Sequence, residues 1–329
     1  MSRHIGTKVA VASIALLALV ASPIAASGTQ APADSLWRLD ERVLTAGHRL
    51  AVASSDLCAD RQYHSGFAVH DLSQYGGGAR RALAATGLGE GPAVLALVPD
   101  GPAARAGLRR DDVLLAADDV PLPRAPDGTE NSFAPTERII QALEHAFSDG
   151  HARLLMRRGG AELVVEVPAA LGCASRFQVV PSERLNALAD GRYVQLTSAL
   201  VSAADDDELA GLMAHELSHN ILRHRARLNA AGIERGLLQH FGRNARLTRE
   251  TEREADRFAV YLLARAGYDP AALIRVWSRV APRSGSLLPG THPRWRERIA
   301  SVRVEIAEVE RLRSAGREIR PAWAPAVLD

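Results

Sequence analysis

The chain has 329 residues, of which 47% are hydrophobic and 24% charged, and its formal net charge is +2. This is the balance of a soluble globular protein with a real core, long enough for about two domains. The arginines are scattered and Lys8 is the only lysine, so the clustered basic face of a nucleic-acid binder is missing and no nucleic-acid partner is expected.

Arg3, His4 and Lys8 precede the apolar run Val9 to Val20, followed by Ser22-Pro23 and the small residues Ala25-Ala26-Ser27. A positive start, a short apolar core and a small-residue exit describe a secretory signal peptide over residues 1–27. The run is shorter than the roughly 20 residues a spanning helix needs, and no cysteine sits at its exit for a lipid anchor. The mature chain is therefore expected to be periplasmic or secreted. The alternative is an uncleaved segment that anchors it to the inner membrane, the one route to a membrane contact. In an oxidising compartment two cysteines tend to pair. A Cys58–Cys173 disulfide would staple the two ends of an inserted domain, and the alternative is two buried free thiols.

Residues 36–52 carry Leu36, Leu39, Val43, Leu44 and Leu50 near helical spacing, with Asp34-Ser35 as the cap. From Gly66 the pattern breaks into short pieces. Ala93 to Val98 reads as a strand, Gly101-Pro102 opens a short helix that Gly107 ends, and Val113 to Ala117 is a second strand. A polar loop from Pro121 to Pro135 leads to an amphipathic helix, Thr136 to Phe147. Leu154-Leu155-Met156 and Leu163 to Val167 then flank Gly159-Gly160, a hairpin signal. Residues 96–122, ALVPDGPAARAGLRRDDVLLAADDVPL, resemble the core of a PDZ domain of the bacterial protease-associated type, and the resemblance covers about 66–168. It implies a β-rich domain that adds a peptide with a free C-terminus as an extra strand beside the Thr136–Phe147 helix. Gly87-Leu88-Gly89 is the candidate carboxylate loop. Asp111-Asp112 and Asp118-Asp119 stand where the family has Gly-Asp and Asn-Gly. The alternative role for such a domain is a spacer or lid.

Beyond Arg176 come a strand (Phe177 to Val180), a turn, a strand (Arg192 to Thr197) and then helices, with the tail 320–329 expected to be extended. Asp205-Asp206-Asp207-Glu208 suits the positive end of a helix dipole, ahead of Leu209, Leu212, Met213, Leu217 and Ile221. On that helix His215 and His219 are four apart, hence on one face, and two imidazoles so placed can reach one metal ion. Glu216 is turned one residue further round, beside the metal and not on it, the place of a general base. Solvent-facing helix polarity would be the plainer reading, but the neighbouring positions are apolar. His224 and His240 are read as structural, because His224 is badly angled for the same metal.

Downstream, TEREADRFAVYLLARAGYDP (251–270) places Glu252 and Asp256 on one helix face, with Arg253 and Glu254 pointing elsewhere. Together with Asn186, Asp190-Gly191, His215–His219 and Thr291-His292-Pro293…Arg298, this resembles the M48 family of metallopeptidases over about residues 172–315. The resemblance implies an α+β fold, a mainly helical zincin-type domain with a small sheet, and one zinc ion held by His215, His219 and Glu252. It makes Glu216 the base and Asp256 the partner that fixes a ligand imidazole. His292 and Arg298 would face the zinc and stabilise the oxyanion, and His292 could take the fourth metal position as a latch. Strand Arg192–Thr197 would offer the edge for an extended substrate. The implied activity is hydrolysis of misfolded or envelope proteins. The alternative is a PDZ-led peptide-binding or chaperone-like protein with a latent metal site. The expected organisation is a signal at 1–27, a helical segment at 28–65 packed on the last domain, a PDZ domain at 66–168 and a metallopeptidase domain at 172–329.

Overall fold

The computed structural model describes residues 33–85, 88–233, 242–280 and 295–323. The signal segment, His240 and His292 lie outside them. Among the described residues no helix is long and apolar enough to cross a membrane.

Helix α1 (Ala33–Ala53) starts a little ahead of its predicted position, and its Val43, Ala46, Leu50 and Ala51 are buried in the core of the C-terminal half. The chain then enters β1 (Arg61–His64) and passes into a separate antiparallel unit. Its pieces are β2 (Phe67–His70), α2 (Gly77–Ala84), β3 (Ala93–Leu97), α3 (Pro102–Arg105), β4 (Val113–Ala117), β5 (Val120–Pro121), α4 (Ala134–Ala146), β6 (His151–Arg158) and β7 (Ala161–Pro168). The strand order is β2-β3-β4-β6-β7, with β5 paired to β4. Val94, Leu114, Ile139, Leu154 and Met156 fill its core. The β4–β5 turn runs through Asp118 and Asp119, both left-handed at φ 48 and 64. That is the backbone a two-residue hairpin needs, and aspartate is among the few non-glycine residues that tolerate it.

After this unit β8 (Ala170–Cys173) returns antiparallel to β1, Arg61 opposite Cys173, and closes the neck through which the unit is attached. Cys58 and Cys173 meet there with Cα atoms 5.4 Å apart, a separation that a disulfide spans. Three strands follow: β9 (Arg176–Val180), β10 (Ala187–Ala189) and β11 (Tyr193–Thr197). Their order is β10-β11-β9, so the strand expected to offer a free edge is the central one. The reason is β10: three residues are too few to show a period-2 pattern, yet they pair with the whole centre of β11. Asp190-Gly191 makes the β10–β11 turn, Gly191 at φ 96 and the Asp190 carboxylate accepting from the backbone N–H groups of Arg192 and Tyr193.

The remaining helices are α5 (Ser198–Ala203), α6 (Asp206–Ile221), α7 (His224–Ala230), α8 (Gly242–Arg265), α9 (Ala272–Val280) and α10 (Trp295–Ser314). Helix α6 opens on a capping box, in which Asp205 accepts from the Glu208 N–H at 2.8 Å and Glu208 accepts from the Asp205 N–H at 3.2 Å. Thirteen of its sixteen residues are buried, which makes it the central helix, wrapped by α1, α8, α9 and β10. Two orphan polar features of this packing are met by Asn220. Its side chain accepts from the Gly191 N–H at 2.7 Å and donates to Ser175 Oγ at 2.8 Å, tying α6 to the β10–β11 turn.

The two halves are also clasped outside the neck. Arg176 of β9, almost buried, donates to Glu137 at 2.6 Å and to Glu144 on α4, while the Tyr193 hydroxyl donates to Glu137. Between β2, α4 and the clasp lies a cavity of about 860 Å³, lined by Phe67 and Val69 on one side, Leu143 and Phe147 on another, and Trp37 and Phe177 across from them. Leu88 and Gly89 do not line it. Leu88 packs instead against Ala93 and Val113, and the chain that leads into β2 beside the cavity is His64 to Phe67; Gly87 of the expected loop lies outside the described residues.

A Cys58–Cys173 bridge closes a loop with a sequence separation of 115 residues. Bridged, the purified chain shows no reactive thiol when denatured without reductant. Cys58→Ala with Cys173→Ala is then expected to lose about 2–5 kcal/mol of stability in denaturant unfolding, whereas two reactive thiols would remove the bridge.

Candidate metal centre

Helix α6 presents His215 and His219 on the face that α8 crosses, and α8 brings Glu252 to the same point. His215 Nε2 and His219 Nε2 are 3.3 Å apart, and each is 3.6 Å from an oxygen of the Glu252 carboxylate. All three donor atoms lie within 4.8 Å of one another. A tetrahedral ion with ligands at roughly 2.0–2.1 Å holds them about 3.3–3.4 Å apart, so the arrangement fits one ion of that size. The charge fits as well. Glu216, Glu252 and Asp256 are buried together with one guanidinium, that of Arg298. Three carboxylates outnumber this one fixed cation and in a low dielectric favour a further positive charge, whether a proton on His215 or a metal ion.

Each histidine is held from behind. Asp256 Oδ1 lies 3.1 Å from His215 Nδ1, close but off the line of a well-formed hydrogen bond. Asp256 in turn receives Arg298 Nε at 2.6 Å and Nη2 at 2.7 Å. Burial alone would lower the His215 pKa, but Asp256 and Glu252 outweigh it and hold it up to about 9. Burial opposes the Asp256 charge too, and Arg298 more than compensates, so that carboxyl stays below its usual range. For His219 burial wins and the ring is pushed well below its ordinary value, against the pull of Glu252. Trp277 of α9 completes the wall, with the Arg298 guanidinium 3.6 Å from its ring centre and His215 edge-on at 5.4 Å.

The structure thus gathers His215, Glu216, His219, Glu252, Asp256 and Arg298 into one buried site. Arg298 Nε and Nη2 are committed to Asp256, and Nη2 is also 3.7 Å from Glu252, so the guanidinium braces the carboxylate behind His215. His292 and its part in the site lie outside the described residues.

Trp277 and Arg227 carry no signal in the sequence, and His224 and Glu254, read there as lying away from the site, stand beside it. His224 does stay off the metal position, as its spacing implied, but its Nδ1 is 2.9 Å from His219 Nδ1 and its Nε2 is 3.0 Å from Glu254 Oε2. Glu254 also receives Arg227 Nη1 at 2.5 Å. Burial raises the Glu254 pKa, yet these partners bring it down to about 2. Spacing along a continuous helix would turn His224 away from His219. In fact α6 stops at Ile221, and Arg223 turns through a left-handed backbone at φ 51 that sends His224 back toward His219.

Residues 161–240 and 233–306 match the model of peptidase family M48, and residues 94–131 match that of the PDZ domain. The chain is similar to the mitochondrial metalloendopeptidase OMA1 of Schizosaccharomyces pombe, 26% identical over 166 residues that cover 44% of this chain and 49% of that protein. It is 33% identical over 162 residues to a putative beta-barrel assembly-enhancing protease of Vibrio cholerae, covering 39% of this chain and 34% of the relative. The beta-barrel assembly-enhancing protease of Escherichia coli K12 is 30% identical over 163 residues, with 39% and 33% covered. The chain therefore spans about half the length of the yeast relative and about a third of the bacterial ones. Helices α6 and α8 fall within the region that matches peptidase family M48, and the antiparallel unit before them holds the segment that matches the PDZ domain.

Proposed function

We propose that this chain is a zinc-dependent endopeptidase acting on protein substrates in the periplasm or outside the cell. The observation that carries the reading is the convergence of His215 Nε2, His219 Nε2 and the Glu252 carboxylate within 4.8 Å, with Glu216 on the same helix turn. His215, His219 and Glu252 hold the zinc ion, one per chain. Bound there, zinc supplies Lewis acidity toward a scissile carbonyl and toward a water molecule. The Glu216 carboxylate takes the proton of the attacking water and returns it to the leaving amide nitrogen. Asp256 keeps the His215 ring turned toward the metal, and Arg298 neutralises Asp256 so that this buried carboxylate stays ionised.

An extended substrate lies along the outer edge of β10, the edge strand packed against α6, where unpaired backbone groups can accept an added strand. The PDZ groove between β2 and α4 takes a second peptide segment with a free C-terminus, which supports capture of unfolded chains ahead of cleavage. Unfolded or envelope proteins are the proposed substrates, in line with the proteolytic names of the relatives.

Glu216→Gln is expected to keep its zinc while cleavage of an unfolded protein such as casein falls about 10²–10⁴-fold. A wild type that holds zinc yet cleaves no unfolded chain would overturn the peptidase reading. Asp256→Asn strips Arg298 of its partner in a buried setting, and about 3–5 kcal/mol of stability should go with it, measured by denaturant unfolding of the zinc-free protein. A change within 0.5 kcal/mol, the usual range for a surface site, would show that the pair is not a structural support.

A further inference from the structure

We propose that His224 and Glu254 are positioning residues that set the ring of His219, resting on the zinc reading above. An imidazole that offers Nε2 to a metal as a neutral ligand must carry its proton on Nδ1. Among the described residues the group that faces this nitrogen of His219 is His224 Nδ1, at 2.9 Å. To accept it, His224 must keep a lone pair on Nδ1 and its own proton on Nε2. That second N–H in turn faces Glu254 Oε2 at 3.0 Å, and Glu254 is held as an anion by Arg227 at 2.5 and 3.2 Å. Only this assignment of protons gives both bonds a donor and an acceptor and leaves His219 Nε2 open toward His215 and Glu252.

His224 is 1% exposed, so bulk water does not reach the His219 N–H past it. Arg223, whose left-handed turn aims His224, is itself tied to Asp60 at 2.6 Å. The two ligand histidines are thus backed in parallel: His215 by Asp256 and Arg298, His219 by His224, Glu254 and Arg227. The second chain has one extra link because α7, and not α8, supplies the group that faces the ring.

The test compares two substitutions that fill His224's space differently. In His224→Asn the side-chain oxygen stands near the former Nδ1 and can accept from His219. In His224→Gln the amide reaches toward Glu254 and leaves the His219 N–H without an acceptor. Zinc affinity, read by competition with a chromophoric chelator, is expected to fall about 10–100-fold in His224→Gln and His224→Ala and to stay near wild type in His224→Asn. In the zinc-loaded protein the His219 Nδ1–H resonance should persist in His224→Asn and vanish in His224→Gln. Equal zinc affinities for the Asn and Gln variants, both folded by circular dichroism, would overturn the positioning role. So would a His219 resonance unchanged in His224→Gln. A wild type that binds no zinc would instead overturn the metal reading, and this relay with it.

Discussion

Helix α6 is buried on almost every side, and the polar groups it carries must be satisfied without water. Ser218 turns back to its own helix, donating to the Ala214 carbonyl at 2.7 Å. Glu208 is used twice, as the cap partner of Asp205 and as an acceptor for Arg279. Asn220 reaches the β10–β11 turn. His215 and His219 have no such local solution, so their partners arrive from elsewhere: Glu252 and Asp256 from α8, Arg298 from α10, His224 from α7. The need to satisfy one buried helix therefore places several elements around it. The residual excess of carboxylates at its centre is what makes the site receptive to a cation.

The same helix links the metal centre to the PDZ unit. Asn220 follows His219 directly and donates to the Tyr193 carbonyl at 3.2 Å. The Tyr193 hydroxyl and Arg176 reach across to Glu137 and Glu144 on α4, which lines the cavity. Arg176 and Tyr193 also line the cavity itself. Burial opposes the charge of Glu137, but Tyr193 and Arg176 outweigh it and keep that carboxyl below its ordinary range. Tyr193 thus stands between Asn220 of the metal-site helix and Glu137 of α4 beside the cavity, and the neck at β1 and β8 holds the two units together at a second point.

Features set by neighbours in sequence were legible. The α6 start follows from Asp205 to Glu208, and the β6–β7 hairpin follows from Gly159-Gly160, where the backbone takes φ values that few residues accept. The i, i+4 geometry of His215 and His219 and of Glu252 and Asp256 belongs to any α-helix and needed no tertiary knowledge. β10 was not legible, because a three-residue strand carries no pattern of its own and exists through its pairing with β11. Which edge of β2 faces the cavity was not legible for a related reason: only its pairing with β3 decides it.

The sequence by itself determined the chemistry available: which side chains can bind a metal, which can move a proton, and which helix faces carry them. Helical spacing and turn propensity act over a few residues, and those are read directly from the chain. The tertiary structure alone decided which of these groups meet. It set Arg298 on Asp256, made β11 a central strand, and turned His224 onto His219 through the left-handed backbone of Arg223. Each of these rests on contacts between residues far apart in sequence, or on one backbone angle that no side-chain pattern encodes. Burial then fixed their strength, since a charge or a ring proton inside the core must take whichever partner the fold provides.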